Sequence, residues 1–312
     1  MISIQEDVIA GLLENPKRIS SRWFYDEKGD KLFQDIMELP EYYLTRAEFS
    51  VLKMNAKDIF SYFTFDKPIQ IVELGAGDGK KTRVLFNYLN AENKSFEYIP
   101  IDISLNALNR LENALKKEYP GMAIKSIQTD YFSALKKDEL QSSKHKLVLF
   151  LGSNVGNLNE KDAIEFFKQL HQALKPGDGV LIGFDRTKNP ETILAAYNDA
   201  AGVTRNFNLN LLTRLNRELG ANFELKNWEH QPKYDIERKS ALSFIRSTKE
   251  QSVTFEKASK TIHFNEGELI HTEISRKFDL EDIQNLASKS GFKLASNFDH
   301  SMPLYTDSLW LA

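Results

Sequence analysis

The residues best suited to chemistry lie in one run, Val72-Glu73-Leu74-Gly75-Ala76-Gly77-Asp78-Gly79-Lys80-Lys81-Thr82. An apolar strand pattern ends there in closely spaced glycines, which let the backbone turn sharply and approach a ligand. The helix N-terminus that follows favours an anionic group such as a carboxylate. Lys80 stands where a G-x-G-x-x-G loop would need its last glycine, and the G-x-x-x-x-G-K-[ST] phosphate loop is missing. Two more acids follow two more strand patterns. Asp102 ends the second, where a carboxylate commonly accepts ribose hydroxyls, and Asp130 follows the third in Thr129-Asp130-Tyr131-Phe132. That place suits an adenine amino group. Three acids at three successive strand ends point to a cofactor carrying a nucleoside. The bland alternative is a doubly wound sheet whose glycines only make tight turns. The six His show no metal spacing and Cys is absent, so no thiolate site, disulfide or Cys nucleophile exists and no metal is expected.

These residues need elements to hold them. Residues 52–187 alternate strand and helix patterns. Ile69–Leu74, Phe96–Ile103, Ala123–Gln128, Leu147–Leu151 and Gly179–Phe184 read as strands, with helices over Lys81–Leu89, Leu105–Lys117 and Glu160–Leu174. Near-continuous apolar strands separated by helices indicate a parallel sheet covered on both faces. Residues 1–51 are mostly helical in pattern, and Thr45 with Glu48 reads as a capping box. Asp26 and Asp30 read as solvated loop charges. Residues 188–277 break the alternation. A helical stretch from Tyr197 to Leu219 is followed by strand-like segments, which suggests a second, mostly antiparallel domain on the substrate side. Residues 278–312 return to the first style, with one amphipathic helix and two strands.

The chain has 312 residues, enough for about two domains. Its net charge of −3 excludes nucleic-acid binding by bulk charge. No apolar run approaches the roughly 20 residues of a membrane span. The N-terminus has early acids and no apolar signal core, so a cytoplasmic protein with no membrane or nucleic-acid partner is expected.

The E-x-G-x-G pattern at Glu73–Gly77 resembles motif I of S-adenosylmethionine-dependent methyltransferases, and a closing helix, strand and antiparallel strand is the ending of a class I methyltransferase sheet. Further blocks narrow the likeness. Trp23-Phe24-Tyr25-Asp26, Leu39-Pro40-Glu41-Tyr42-Tyr43-Leu44-Thr45-Arg46-Ala47-Glu48, Phe150-Leu151-Gly152-Ser153-Asn154-Val155-Gly156-Asn157, Ala196-Tyr197-Asn198-Asp199-Ala200-Ala201-Gly202 and Glu273-Ile274-Ser275-Arg276-Lys277-Phe278 resemble, in order, the L-histidine Nα-methyltransferases of ergothioneine biosynthesis. The resemblance implies an α/β class I (Rossmann-like) doubly wound sheet, residues 52–187 plus 278–312, that binds S-adenosyl-L-methionine. It also implies an α+β substrate-binding domain, residues 1–51 plus 188–277, and a monomer.

Site roles follow from the same resemblance. Gly75, Gly77, Lys81 and Gly152 would lie at the methionine part of the cofactor, Asp102 at the ribose, and Asp130 with Tyr131 at the adenine. Asn157 and Tyr197 would hold the carboxylate of an amino-acid substrate. Tyr42 would meet its amine as the catalytic residue, and Tyr25, Glu273 and Ser275 would recognise an imidazole. The implied activity converts histidine to its Nα-trimethylated form. This chain departs from the family at Ser243, where a Met is expected, so Nα-methylation of another amino acid stays open. A binding protein without turnover is the alternative of a different class.

Overall fold

The computed structural model describes residues 2–136 and 144–312. In chain order, α1 (Ile4–Leu13), α2 (Glu27–Met37) and α3 (Leu44–Phe60) precede β1 (Ile69–Leu74), α4 (Thr82–Ala91), β2 (Phe96–Asp102) and α5 (Leu105–Glu118). Then come β3 (Ala123–Ile124), β4 (Ile127–Gln128), α6 (Tyr131–Ala134), β5 (Lys146–Phe150), α7 (Glu160–Ala173) and β6 (Gly179–Asp185). Next are α8 (Pro190–Ala196), α9 (Val203–Leu219), β7 (Trp228–Asp235), β8 (Ser240–Ser247), β9 (Gln251–Phe255), β10 (Lys260–Phe264) and β11 (Leu269–Arg276). The chain closes with α10 (Leu280–Lys289), β12 (Lys293–Asp299) and β13 (Tyr305–Leu311).

Two compact units result, Met1–Tyr43 with Asn189–Ser275 and Leu44–Lys188 with Arg276–Ala312. The first boundary falls before α3 rather than after residue 51. The reason is the apolar stripe of α3: Val51, Leu52, Ala56 and Ile59 share one core with Ile69 and Ile71 of β1 and Leu85 of α4.

The second unit is a mixed sheet of eight strands in the order β12-β13-β6-β5-β1-β2-β3, with β4 also on β2. β1, β2, β5 and β6 run parallel, and β13 is antiparallel to both β6 and β12. Every residue of β1, β5 and β6 is buried, as expected for strands covered on both faces. Successive residues face opposite cores: Ile71 joins the cluster with α3 and α4, and Val72 the cluster with α7 and α10. The third strand expected over Ala123–Gln128 is two short pieces at the sheet edge, each paired in parallel with β2.

The first unit packs α1, α2 and α9 with two small sheets, β11-β8-β7 and β10-β9, around Phe24, Phe207, Leu211, Leu215 and Ile245. The expected continuous helix from Tyr197 is split. Asp199 accepts the N–H groups of Val203 and Thr204 at 2.8 Å, and Gly202 takes φ +74°, so a new helix begins at Val203. Asp26 and Asp30 are not solvated loop charges. Asp26 caps α2 through Gly29 N–H at 2.8 Å and accepts Asn210 Nδ2 at 2.9 Å and Arg217 at 2.7 Å, while Asp30 is buried in α2.

Gly29 illustrates how tightly this region is fitted. Alanine in a helix interior normally stabilises by about 1 kcal/mol relative to glycine. Here a Cβ would lie 1.8 Å from the Phe24 carbonyl oxygen, part of the turn that carries Tyr25. Gly29→Ala should therefore destabilise by roughly 1–3 kcal/mol, read as a lower Tm and a lower denaturant midpoint.

Candidate active site

In the second unit the candidate cofactor residues gather at the carboxyl ends of β1, β2 and β5. Gly75, Gly77 and Gly152 have φ of +75°, +54° and +76°, a region that suits glycine. A Cβ on Gly75 would lie 2.8 Å from Tyr131 Oη and 2.9 Å from Asn154 Nδ2, and one on Gly152 would lie 3.2 Å from Lys81 Nζ. Gly75, Tyr131, Asn154, Gly152 and Lys81 are thus one contiguous set. The space around Gly77 is open.

Asp102 fixes the glycine loop. Its Oδ2 accepts Gly77 N–H at 3.0 Å and its Oδ1 accepts Ser104 N–H at 2.9 Å. Asp130 caps α6, accepting Ser133 N–H at 3.0 Å and Ser133 Oγ–H at 2.8 Å. Tyr131 packs edge-on against Phe150 at 5.0 Å. Burial, and then the charge of Asp102, raise its hydroxyl pKa, so it stays a protonated donor. Asn157 ends a short 3₁₀ turn, Asn154–Asn157, which begins at left-handed Ser153.

Glu73 and Glu48 lie beneath this surface. Glu73 is buried in β1 and accepts Thr82 Oγ at 2.6 Å and the Tyr98 hydroxyl. It thereby ties the strand to the start of α4. Burial pushes its pKa up to about 7, against those two hydrogen bonds, which favour the charged form. Glu48 is no capping-box partner of Thr45. The helix begins at Leu44, one residue earlier, and the Glu48 carboxylate instead meets Lys81, Gly152 and Tyr305. The signal for it was available in the sequence, since Glu48 falls on the apolar stripe of α3 with Leu44, Val51 and Leu52.

In the first unit Tyr25 and Tyr42 both pack edge-on against Phe33, with centroids at 5.7 and 6.4 Å. Phe207 completes this cluster, 5.9 Å from both Tyr25 and Phe33. Tyr197 follows α8, donates its N–H to the Leu194 carbonyl at 3.0 Å and is buried. Glu273 and Ser275 lie two apart on β11, on one face of the strand, with Ser275 buried and Glu273 half-buried. Ser243 on β8 is buried and its hydroxyl has no hydrogen-bond partner among the described residues, while its carbonyl accepts Thr272 Oγ at 3.0 Å.

A parallel sheet closed by an antiparallel β12–β13 pair, with a glycine loop after β1 and an acid ending β2, defines a class I S-adenosylmethionine-dependent methyltransferase. Comparison with known proteins gives the particular kind. The family profile described as histidine-specific methyltransferase, SAM-dependent, matches residues 4–312. The histidine N-alpha-methyltransferase of Mycolicibacterium smegmatis is 35% identical over 291 residues, covering 93% of this chain and 89% of that protein. That of Mycobacterium tuberculosis is 32% identical over 306 residues, covering 98% and 92%. Ergothioneine biosynthesis protein 1 of Schizosaccharomyces pombe is 27% identical over 296 residues, which cover 93% of this chain and 38% of that longer protein. The chain belongs to the histidine-specific, S-adenosylmethionine-dependent methyltransferase family.

The raised pKa of Glu73 has a stability consequence. Between about pH 4.5 and 7 the folded protein holds a proton at Glu73 that the unfolded chain has released. Stability therefore falls as pH rises through that window, by on the order of 3 kcal/mol from this group. Denaturant unfolding of wild type and Glu73→Gln across that window should show the loss in wild type and its absence in the variant.

Proposed function

We propose that the protein transfers three methyl groups in turn to the α-amino nitrogen of L-histidine, forming Nα,Nα,Nα-trimethylhistidine (hercynine), the first step of ergothioneine biosynthesis. The observation that carries this reading is the family match along nearly the whole chain, with both relatives named as histidine methyltransferases covered almost end to end. The residues fit the cofactor chemically. The open backbone at Gly77 and the Asp102 carboxylate that holds the same loop suit a methionine moiety and a ribose, and the hydroxyl of Tyr131 suits the adenine end.

Bound S-adenosylmethionine supplies an electrophilic methyl group on a cationic sulfur. Such a methyl needs little acid catalysis, so positioning an amine lone pair for in-line attack is the main contribution of the protein. Tyr42 orients the substrate amine through its hydroxyl. Asn157 and Tyr197 donate hydrogen bonds to the carboxylate without adding positive charge. Glu273 accepts the imidazole N–H, with Tyr25 and Ser275 completing ring recognition. A site built around such an acceptor strongly rejects side chains that lack the donor. In this reading Met1–Tyr43 with Asn189–Ser275 is the substrate-binding domain, and the protein acts as a monomer.

Ser243 supports a second reading, Nα-methylation of a different amino acid. Its unpartnered buried hydroxyl replaces an apolar Met of the family pattern and offers a polar atom to a substrate.

A single mass-spectrometric assay separates the two readings. Purified protein, S-adenosylmethionine and all twenty amino acids in one reaction should yield histidine heavier by three methyl groups. Methylation of another amino acid alone would favour the second reading. By calorimetry, Asp102→Ala should abolish S-adenosylmethionine binding, and an unchanged affinity would refute its assignment to the cofactor. Glu273→Ala should weaken histidine by at least about 100-fold with little effect on the cofactor. Equal losses for both ligands would remove Glu273 from imidazole recognition.

A further inference from the structure

One buried carboxylate in the second unit, that of Glu48, has no part in the chemistry assigned above. Glu48 is fully buried. Its two carboxylate oxygens accept Gly152 N–H at 2.8 and 3.0 Å, Oε1 accepts the Tyr305 hydroxyl at 2.8 Å, and Oε2 pairs with the Lys81 ammonium. Space for the carboxylate comes from Gly183 on β6, where a Cβ would lie 2.1 Å from Glu48 Oε1 and 2.4 Å from Tyr305 Oη. Four segments therefore converge on one carboxylate of α3. Two of its partners, Lys81 and Gly152, are the groups assigned to the methionine end of the cofactor.

The charges in this cluster decide what it can do. Burial is the largest influence on the Lys81 ammonium and works against it, but the charge of Glu48, the hydrogen bond to it and the neighbouring acids Glu73 and Asp307 together raise the pKa, so Lys81 stays protonated. Asp307 on β13 is fully buried beside the Glu48 carboxylate. Burial and then the negative charge of Glu48 hold it in its neutral form. Glu48 and Lys81 form the ion pair of this cluster, with Glu73 a further acid within electrostatic reach of both. Without Glu48, Lys81 would lose the counter-charge it is bonded to in a site of low dielectric.

We propose that Glu48 is a positioning residue that sets discrimination between cofactor and product. By neutralising Lys81 and holding Gly152 N–H, it lets the site accept the cationic sulfonium of S-adenosylmethionine against the neutral thioether of S-adenosylhomocysteine. The proposal rests on the cofactor assignment above. The two ligands share adenine, ribose, carboxylate and amine, and differ by one methyl and one charge. Their affinity ratio therefore isolates the electrostatic effect from any general loosening of the site.

Calorimetry of both nucleosides on wild type, Glu48→Gln and Lys81→Met tests it. Glu48→Gln should weaken S-adenosylmethionine about tenfold more than S-adenosylhomocysteine. Lys81→Met leaves Glu48 unneutralised and should move the ratio the opposite way, toward the sulfonium. Equal proportional losses for the two ligands, or ratios that shift in the same direction in both variants, would overturn the proposal and leave Glu48 a structural group. Should Glu48→Gln fail to fold, Lys81→Met decides by itself: a ratio shifted toward the sulfonium supports the proposal, and an unchanged ratio overturns it. Wild-type protein that binds neither nucleoside would instead overturn the cofactor assignment, and the proposal with it.

Discussion

A carboxylate removed from water must find charged or hydrogen-bonding partners, and the partners of Glu48 organise the second unit. Its position on α3 brings that helix against the start of α4, the end of β5 and the start of β13. Each is a point where the chain could otherwise choose among several conformations. Lys81 would sample solvent, and Gly152 in its left-handed turn would leave its N–H unpaired. Pairing them with one rigidly packed side chain fixes both loops from below, so the groups facing a ligand arrive ordered. Glu73 does the same one strand away, linking β1 to Thr82 and to Tyr98 of β2. The glycine loop is held at its near side by Glu73 and at its far side by Asp102.

Much of this unit was legible in the sequence because its strands are buried on both faces. Ile69–Leu74 and Gly179–Phe184 admit no other reading once flanked by turns and amphipathic helices. The parts that were not legible have local physical causes. The edge strand after β2 carries few apolar residues, so its interruption between Ile124 and Ile127 leaves no pattern. The break after Tyr197 depends on Asp199 reaching two N–H groups ahead in the chain, which competes with a helical periodicity that continues regardless. Glu48 read as a cap because a Thr three residues before a Glu has that form. Its true environment depends on Tyr305 and Gly183, more than a hundred residues away.

The first unit was less legible still. Periodicity alone gave Tyr25, Tyr42 and Tyr197 no distinction from ordinary packing aromatics, and only the ordered family blocks singled them out. The structure supplies a reason for part of the grouping: Phe33 lies against both Tyr25 and Tyr42, and Phe207 of α9 closes the cluster. Ser243 shows the opposite limit. Sequence comparison marked it as a departure, but only its burial and unpaired hydroxyl give that departure a physical meaning.

The first unit is built from two stretches of chain, Met1–Tyr43 and Asn189–Ser275, with most of the other unit encoded between them. This has a consequence for biosynthesis. Val8, Leu12, Phe24 and Ile36 leave the ribosome well before Phe207, Leu211 and Ile245, which cover them in the finished protein. At ordinary elongation rates of ~5–20 residues per second, that apolar surface waits on the order of ten seconds or more for its partners. The nascent N-terminal segment is thus the stretch most exposed to chaperone capture or to association with a neighbouring chain on the same message.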